Sequence, residues 1–463
     1  VIPSSGDHVD IPGNLTTYPT ISAPVTVNTI TLQSGATLIP NASVTGTITY
    51  NRILTSNWHL ISPPVDGETI EDIIANHDLD IGTGSNLGLS AYLNNGATPW
   101  DYQSAASTGP MPSGFGYAIK LADAGSTASF TGTLNSSTVS PAIVIGSRTA
   151  FNLRGNPFTA YMNSATFTGT SANTSLLAEK TIWLWNGTTY VTYNDTNPIE
   201  IAPAQGFFVK AGANGQILFE TSNLSHQPTD TFLKSPHTKI ELMMESNSII
   251  KSTDIYYIAD KTTGFDNGYD SSVFGGVTED FNIFTELVSH NEGKKLAIQT
   301  LPNSNYETMI VPVGVIAEAG QVVTFSIHQV NLPNTLTVFL EDRHHGEFID
   351  LSDNSYTVTL ENAASDIGRF YLHTTSERLS IDTISETIAN ISLYKSSNTE
   401  LTLTGLKAEA TLTLFSVLGE EVLSHKINSN GVTKITLPQL SSGVYIVKVF
   451  SSIGEITKKI VIN

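Results

Sequence analysis

Phe415-Ser416-Val417-Leu418-Gly419-Glu420-Glu421-Val422, then Leu437-Pro438-Gln439-Leu440-Ser441-Ser442-Gly443-Val444-Tyr445-Ile446-Val447-Lys448-Val449, then Thr457-Lys458-Lys459-Ile460-Val461-Ile462-Asn463 form the C-terminal end of the chain. Val444 to Val449 alternates as a half-buried strand does, and Gly419 and Gly443 stand where hairpin turns call for a positive φ. Short alternating strands parted by glycine-marked turns predict a small Ig-like β-sandwich over 386–463.

The same pattern extends N-terminally, and composition agrees with it. Of 463 residues, 40% are hydrophobic and only 14% charged, so the surface is polar through Thr, Ser, Asn and Gly, residues of strands and turns more than of long helices. Length alone suggests about three to four domains. The net charge is −20, which argues against nucleic acid and anionic membranes as partners, since an acidic surface releases no counterions from them. Residues 1–228 carry 14 acidic and 6 basic side chains, 229–378 carry 21 and 9, and the last 85 carry 7 of each. The body is therefore acidic and the C-terminal segment neutral. Absence of cysteine excludes disulfides and thiolate metal sites. No apolar run approaches the roughly 18 to 20 residues that span a bilayer, so direct membrane insertion is not expected. The chain opens at Val1 without Met or a signal-peptide pattern, which reads as a processed or truncated end.

Residues 1–50 alternate with period two between Gly and Pro breaks, as in Val27-Asn28-Thr29-Ile30-Thr31-Leu32, and predict one to three β-solenoid-like rungs. Two rungs bury no core alone; they either cap the next domain or end a longer solenoid, and the second is the expectation. Residues 51–228 contain an internal duplication, with copies at about 51–142 and 143–228. Trp58-His59-Leu60-Ile61-Ser62-Pro63-Pro64 aligns with Phe151-Asn152-Leu153-Arg154-Gly155-Asn156-Pro157, and Tyr92-Leu93-Asn94-Asn95-Gly96 with Trp183-Leu184-Trp185-Asn186-Gly187. Gly116-Tyr117-Ala118-Ile119-Lys120 aligns with Gly206-Phe207-Phe208-Val209-Lys210. A short helix is expected from Thr69 to Ala75, and the copies are expected to pack as one pseudo-symmetric unit. Residues 232–375 predict an antiparallel, jelly-roll-like sandwich of about eight strands, followed by a linker from Thr374 to Thr387. The fold class is thus all-β and modular.

Candidate chemistry is sparse. Trp58, Trp100, Trp183 and Trp185 are the only tryptophans; they suit either stacking on a glycan or pinning a core. Along Ile182 to Trp185, alternation puts Trp183 and Trp185 on one face, as a core wall or as a platform. Asp254, Asp260, Asp266 and Asp270, with Asn267-Gly268 between the last two, are a candidate calcium set of hard oxygen ligands, without the EF-hand spacing. Calcium is the one cofactor suggested. Glu341-Asp342-Arg343-His344-His345-Gly346-Glu347 is the densest titratable run; adjacent histidines on a strand face opposite ways, so a polar hairpin is the simplest reading. No nucleophile elbow, zincin or phosphate-loop motif occurs, and no catalytic residue is assigned. Asp382-Thr383-Ile384 fits a short O-glycosylation pattern.

The three C-terminal blocks, in their order and with Lys458-Lys459 before the last apolar residues, resemble the type A C-terminal sorting domain of Bacteroidota type IX secretion cargo. The resemblance covers 386–463. It departs at the first strand, where the family's usual Asn-Pro is replaced by Lys395-Ser396-Ser397-Asn398 after Tyr394. The resemblance implies export across the outer membrane to the cell surface or medium, with an outer-membrane translocon and a β-barrel shuttle protein as partners. It also implies frequent removal of the domain, so a chain that retains it is uncleaved or in transit. Gly419, Gly443, Val444, Tyr445, Lys448, Lys458, Lys459 and Ile460 are the expected recognition residues. The resulting expectation is a non-enzymatic, adhesin-like or structural surface protein, with a surface glycan as candidate ligand. The alternatives are a carbohydrate-binding module or the accessory region of a larger secreted enzyme.

Overall fold

A computed structural model describes residues 3–226, 237–376, 392–397, 399–406, 409–416, 419–428, 431–451 and 454–462. The all-β expectation holds. The chain divides into two compact units, Val1–Lys234 with Asn267–Thr278, and Ser235–Asp266 with Glu279–Asn463.

In the first unit, β1 (His8–Ile11), β2 (Val25–Leu32) and β3 (Val44–Ile53) pair in parallel as solenoid rungs. The boundary expected at residue 50 falls inside β3. The first copy then supplies β4 (His59–Ile61), α1 (Ile70–Asn76), β5 (Leu89–Tyr92), β6 (Trp100–Tyr102), β7 (Tyr117–Ile119) and β8 (Thr127–Leu134). The side chain of Thr69 caps α1 by accepting from Asp72 N at 3.2 Å, the residue type and position that a helix N-terminus favours. β8 pairs antiparallel with β3, and Ile30, Leu32 and Ile48 share one core with Val65, Ile73 and Phe130. The rungs therefore share the hydrophobic core of the first copy.

The second copy supplies β9 (Phe151–Gly155), α2 (Ser164–Gly169), α3 (Ser171–Leu176), β10 (Ile182–Trp185), β11 (Tyr190–Tyr193) and β12 (Gly206–Lys210). Its sheet runs β9-β12-β10-β11, and that of the first copy β4-β7-β5-β6. The two orders are equivalent, so the duplication in sequence is one of architecture. The copies also meet reciprocally. Phe115 bridges to Arg154, and its equivalent Gln205 bridges to Ile61. Gly155 N donates to Gly114 O at 3.2 Å, while Ser62 N donates to Ala204 O at 3.1 Å. Even the backbone repeats, with φ of 81° at Gly114 and 61° at Ala204. A self-complementary contact of this kind is what two-fold symmetry produces.

In the second unit, β13 (Thr238–Ser246), β14 (Ile249–Ile258), β15 (Asn282–Thr285), β16 (Leu296–Pro302), β17 (Val311–Ile316), β18 (Val322–Val330), β19 (Thr337–Asp342), β20 (Glu347–Asp350), β21 (Tyr356–Thr359) and β22 (Phe370–Thr375) follow. They form one nearly closed, barrel-like path, β20-β19-β22-β17-β15-β16-β14-β13-β18-β21. Its pairs are antiparallel except β14 with β16, which is parallel. The expected sandwich is therefore a single curved sheet that folds over its own core of Leu242, Ile255, Val313, Phe325 and Leu372. Most of the expected linker, with Asp382-Thr383-Ile384, lies outside the described residues.

The C-terminal strands are β23 (Ser392–Ser397), β24 (Glu400–Leu406), β25 (Ala410–Ser416), β26 (Glu421–Ile427), β27 (Gly431–Thr436), β28 (Gly443–Ser451) and β29 (Gly454–Ile462). They make two sheets, β23-β24-β27 and β26-β25-β28-β29. Leu401 and Leu403 meet Leu412, Leu414, Val447 and Val449 between them, which is the Ig-like sandwich read from the sequence.

Candidate functional site

The four tryptophans gather on one aromatic cluster in the first unit. Strand β10 is apolar throughout because both of its faces are covered. Ile182 and Leu184 enter the core of the second copy, and Trp183 and Trp185 turn to the other side with Phe151, Leu153 and Phe208. Trp183 is 0% exposed, stands edge-on to Phe151 at 4.9 Å and donates from Nε1 to Ser272 O at 3.0 Å. It is part of a core wall, and a sugar cannot reach it. Trp58, Trp100 and Trp185 are half-buried against the same cluster. The segment Asn267–Thr278 closes over it: Phe274 packs on Phe208 at 4.6 Å, and the wholly buried Glu179 accepts from Ser272 N at 2.8 Å and from Lys210 Nζ at 2.9 Å. Nothing in the sequence marked this segment as belonging to the duplicated module.

The calcium expectation does not match the geometry. Asp254 pairs with Lys239 at 2.9 Å, and burial pushes its carboxyl up to about 6. Asp260 occupies a left-handed turn position with φ of 62°. Asp266 accepts from Thr262 N at 2.7 Å, and the wholly buried Asp270 belongs to the first unit. Among the described residues, no three His, Asp or Glu side chains are placed to hold a metal ion. Sequence proximity misled here because the four aspartates are divided between two units.

The run from Glu341 to Glu347 is the hairpin expected, and its charges face opposite ways. Asp342, 0% exposed, accepts from Arg369 Nη2 at 2.7 Å, Tyr356 Oη at 2.8 Å and His344 N at 2.9 Å. His345 Nδ1 lies 3.0 Å from it. Since Tyr356 sits on β21 and Asp342 on β19, this cluster ties the two ends of the barrel-like sheet together. Glu341 points away, to Arg343 at 2.9 Å and His373 at 2.9 Å. Burial raises both carboxyls, yet their hydrogen bonds and cationic partners leave each below its ordinary value.

In the C-terminal domain, β28 and β29 pair along their whole length, and the pleat sorts the recognition residues into two sets. Val444, Lys448 and Lys459 lie on the outward face with Val461, which is 48% exposed. Tyr445, Lys458 and Ile460 lie on the opposite face, and Ile460 is 5% exposed in the core with Ile462. Ile460 is therefore a core residue and not a recognition surface. Gly419 adopts the expected positive φ of 83°. Gly443 does not; it is the first residue of β28, paired with Ile462. Lys395 Nζ donates to Val461 O at 2.6 Å, placing a cation on the edge of β29, a usual guard against unwanted strand pairing. The other sheet packs on the barrel-like module through Tyr371 Oη and Thr404 Oγ1 at 2.9 Å. Burial lowers the Lys458 ammonium, with the carboxylates of Glu286 and Glu292 opposing.

A signature described as "Secretion system C-terminal sorting domain" matches residues 386–463. The chain is a type IX secretion cargo protein. The cargo is exported across the outer membrane, to the cell surface or the extracellular space, and it interacts with the secretion machinery. A second signature, "Domain of unknown function (DUF8693)", matches residues 192–373, which reach from the second copy into the barrel-like module. No curated protein matches the cargo. A solved structure titled "Biofilm associated protein - BSP domain" is similar at 8% identity and a TM-score of 0.18, over 88% of this chain and 96% of that one; a likeness so slight bears on neither fold nor function.

Sequence reasoning missed one feature of the cargo. A cavity of about 540 Å³ in the first unit is lined by Gly13, the loop Leu15-Thr16-Thr17-Tyr18, Gly35, Tyr161 and His226. Its walls come from two rung turns and from the second copy, so no local motif announces it.

Proposed function

We propose that this cargo is a non-enzymatic, adhesin-like or structural protein displayed at the cell surface, its C-terminal domain being read by an outer-membrane β-barrel shuttle and translocon. The observation that carries the reading is the outward strip of the terminal hairpin. Val444, Lys448, Lys459 and Val461 present two cations between apolar side chains on a folded sandwich, a surface that a protein partner can recognise without unfolding the domain. The modules that precede it in the chain are sheets packed on buried cores, which suits display. The non-enzymatic part is supported by the densest titratable run, whose buried carboxylates are engaged in ion pairs, Glu341 with Arg343 and Asp342 with Arg369 at the barrel seam. The test is isolation of the cargo from its native membrane in mild detergent, with mass spectrometry of what travels with it. Co-purification with an outer-membrane barrel and translocon is expected. Recovery solely as a free soluble protein, with the C-terminal domain still attached, would contradict it.

A further inference from the structure

We infer that the cavity between the solenoid turns and the second copy is a binding site for a neutral saccharide, holding one or two sugar rings. Its volume, about 540 Å³, lies within the roughly 300–1,000 Å³ of small-ligand sites. Its wall combines two chemistries. Leu15, Tyr18 and Tyr161 offer apolar and aromatic surface, and Thr16, Thr17 and the tyrosine hydroxyls offer hydrogen-bonding groups. Among the described residues no Asp, Glu, Lys or Arg lines it, although the chain carries 42 acidic side chains. The wall itself offers a charged ligand no carboxylate, ammonium or guanidinium, Arg52 standing behind Tyr161 within electrostatic range of it, and a wholly apolar ligand would leave the hydroxyls unpaired, which is unfavourable. A neutral, polyhydroxylated ligand with apolar ring faces satisfies both.

The site is built and not incidental. A Cβ on Gly13 would lie 1.9 Å from Ser34 O, and Gly35 has φ of +90°, so two stacked turns are held to bare backbone at its floor. His226 is fixed by Thr37 Oγ1 at 2.8 Å and Thr20 Oγ1 at 3.0 Å, and Tyr18 packs beside it at 6.2 Å. Thr159 Oγ1 donates to Leu38 O at 2.7 Å, locking the rung to the second copy that carries Tyr161. Behind the wall, the buried Tyr50 hydroxyl lies within electrostatic range of Arg52, Tyr161 and Tyr18.

The inference supplies a ligand class for the proposed display role, and it is tested on purified full-length chain, so either can fail alone. Saturation-transfer NMR and calorimetry would be run with cellobiose, lactose and N,N′-diacetylchitobiose, and with sialyllactose as the charged control. Binding of at least one neutral sugar is expected at about millimolar Kd or tighter. Tyr18→Ala should weaken it by about tenfold or more through the lost ring. Thr17→Trp, which fills the cavity from an exposed position, should abolish it while the melting temperature is kept. No binding by any neutral sugar, equal affinity in Thr17→Trp, or a preference for sialyllactose would overturn the assignment.

Discussion

Trp183→Ala separates the core reading of the aromatic cluster from the platform reading most sharply. The indole is wholly buried, packs edge-on to Phe151 and donates to Ser272 O. Truncating a buried Trp to Ala costs about 3–5 kcal/mol through lost packing and an unfilled cavity. The orphaned Ser272 carbonyl adds on the order of 1 kcal/mol, giving a total near 4–6 kcal/mol. In a unit of roughly 250 residues, each kcal/mol moves the midpoint by about 2–4 °C, so the first unit should melt about 10–20 °C lower. Trp183→Phe keeps the ring contacts and should cost only about 1–2 kcal/mol. Calorimetry of the full chain, with near-ultraviolet circular dichroism to follow the tryptophans, reads both variants. If Trp183→Ala melts within about 2 °C of the parent, or if saccharide affinity falls while stability holds, the core assignment is refuted.

Other consequences can be checked on the same material. At Gly206 an added Cβ would lie 2.8 Å from Ile61 N, and at Gly116 it would lie 2.6 Å from Leu153 Cγ; either Gly→Ala change should cost about 1–3 kcal/mol or more, and equal melting of parent and variants would argue against the reciprocal packing. The wholly buried Glu286 has its carboxyl pushed from 4.5 up to about 7 by burial, so the folded second unit holds a proton that the unfolded chain releases near 4.5. Stability from this group is therefore full below about pH 4.5 and lost as pH rises to 7, by about 3.4 kcal/mol at most (roughly 2.5 pH units at about 1.36 kcal/mol each). Glu286→Gln should flatten urea midpoints across that window, and an unchanged slope would reject the assignment. Lys459→Ala should leave stability within about 0.5 kcal/mol while reducing export. Ile460→Asp should unfold the C-terminal domain, because a charge would be buried unpaired; a stable, normally melting Ile460→Asp protein would show that the strand face is misassigned.

Features governed by local periodicity were legible in the sequence. The C-terminal sandwich and the parallel rungs follow from spacings of two residues, the duplication from offsets of about ninety between like blocks, and the start of the short helix from Thr69 as a capping residue. Pairings set by distant segments were not legible. Alternation correctly put Trp183 and Trp185 on one face, yet only the approach of Phe274 and Ser272 from far along the chain decides that the face is buried. The four aspartates between 254 and 270 looked like one loop because sequence does not show that Asp270 leaves for the other unit. The run at Glu341 and Asp342 read simply as a polar hairpin because the partners that engage the two carboxylates, His373 and Arg369, lie some thirty residues away. The terminal Lys-Lys-Ile motif read as one recognition patch, whereas the pleat sends Lys459 outward and Lys458 and Ile460 inward. The cavity at Tyr18 and Tyr161 could not be found from sequence, since each wall belongs to a different module.

The central claim is that residues 386–463 carry this protein across the outer membrane. The most direct measurement is surface accessibility to added protease in cells that have a type IX machinery. It compares the full chain, given an inner-membrane export signal, with a version lacking 386–463. The account predicts that the full chain reaches the surface or the medium and that the truncated one is retained, protected, in the periplasm. Equal surface exposure of the two would contradict it.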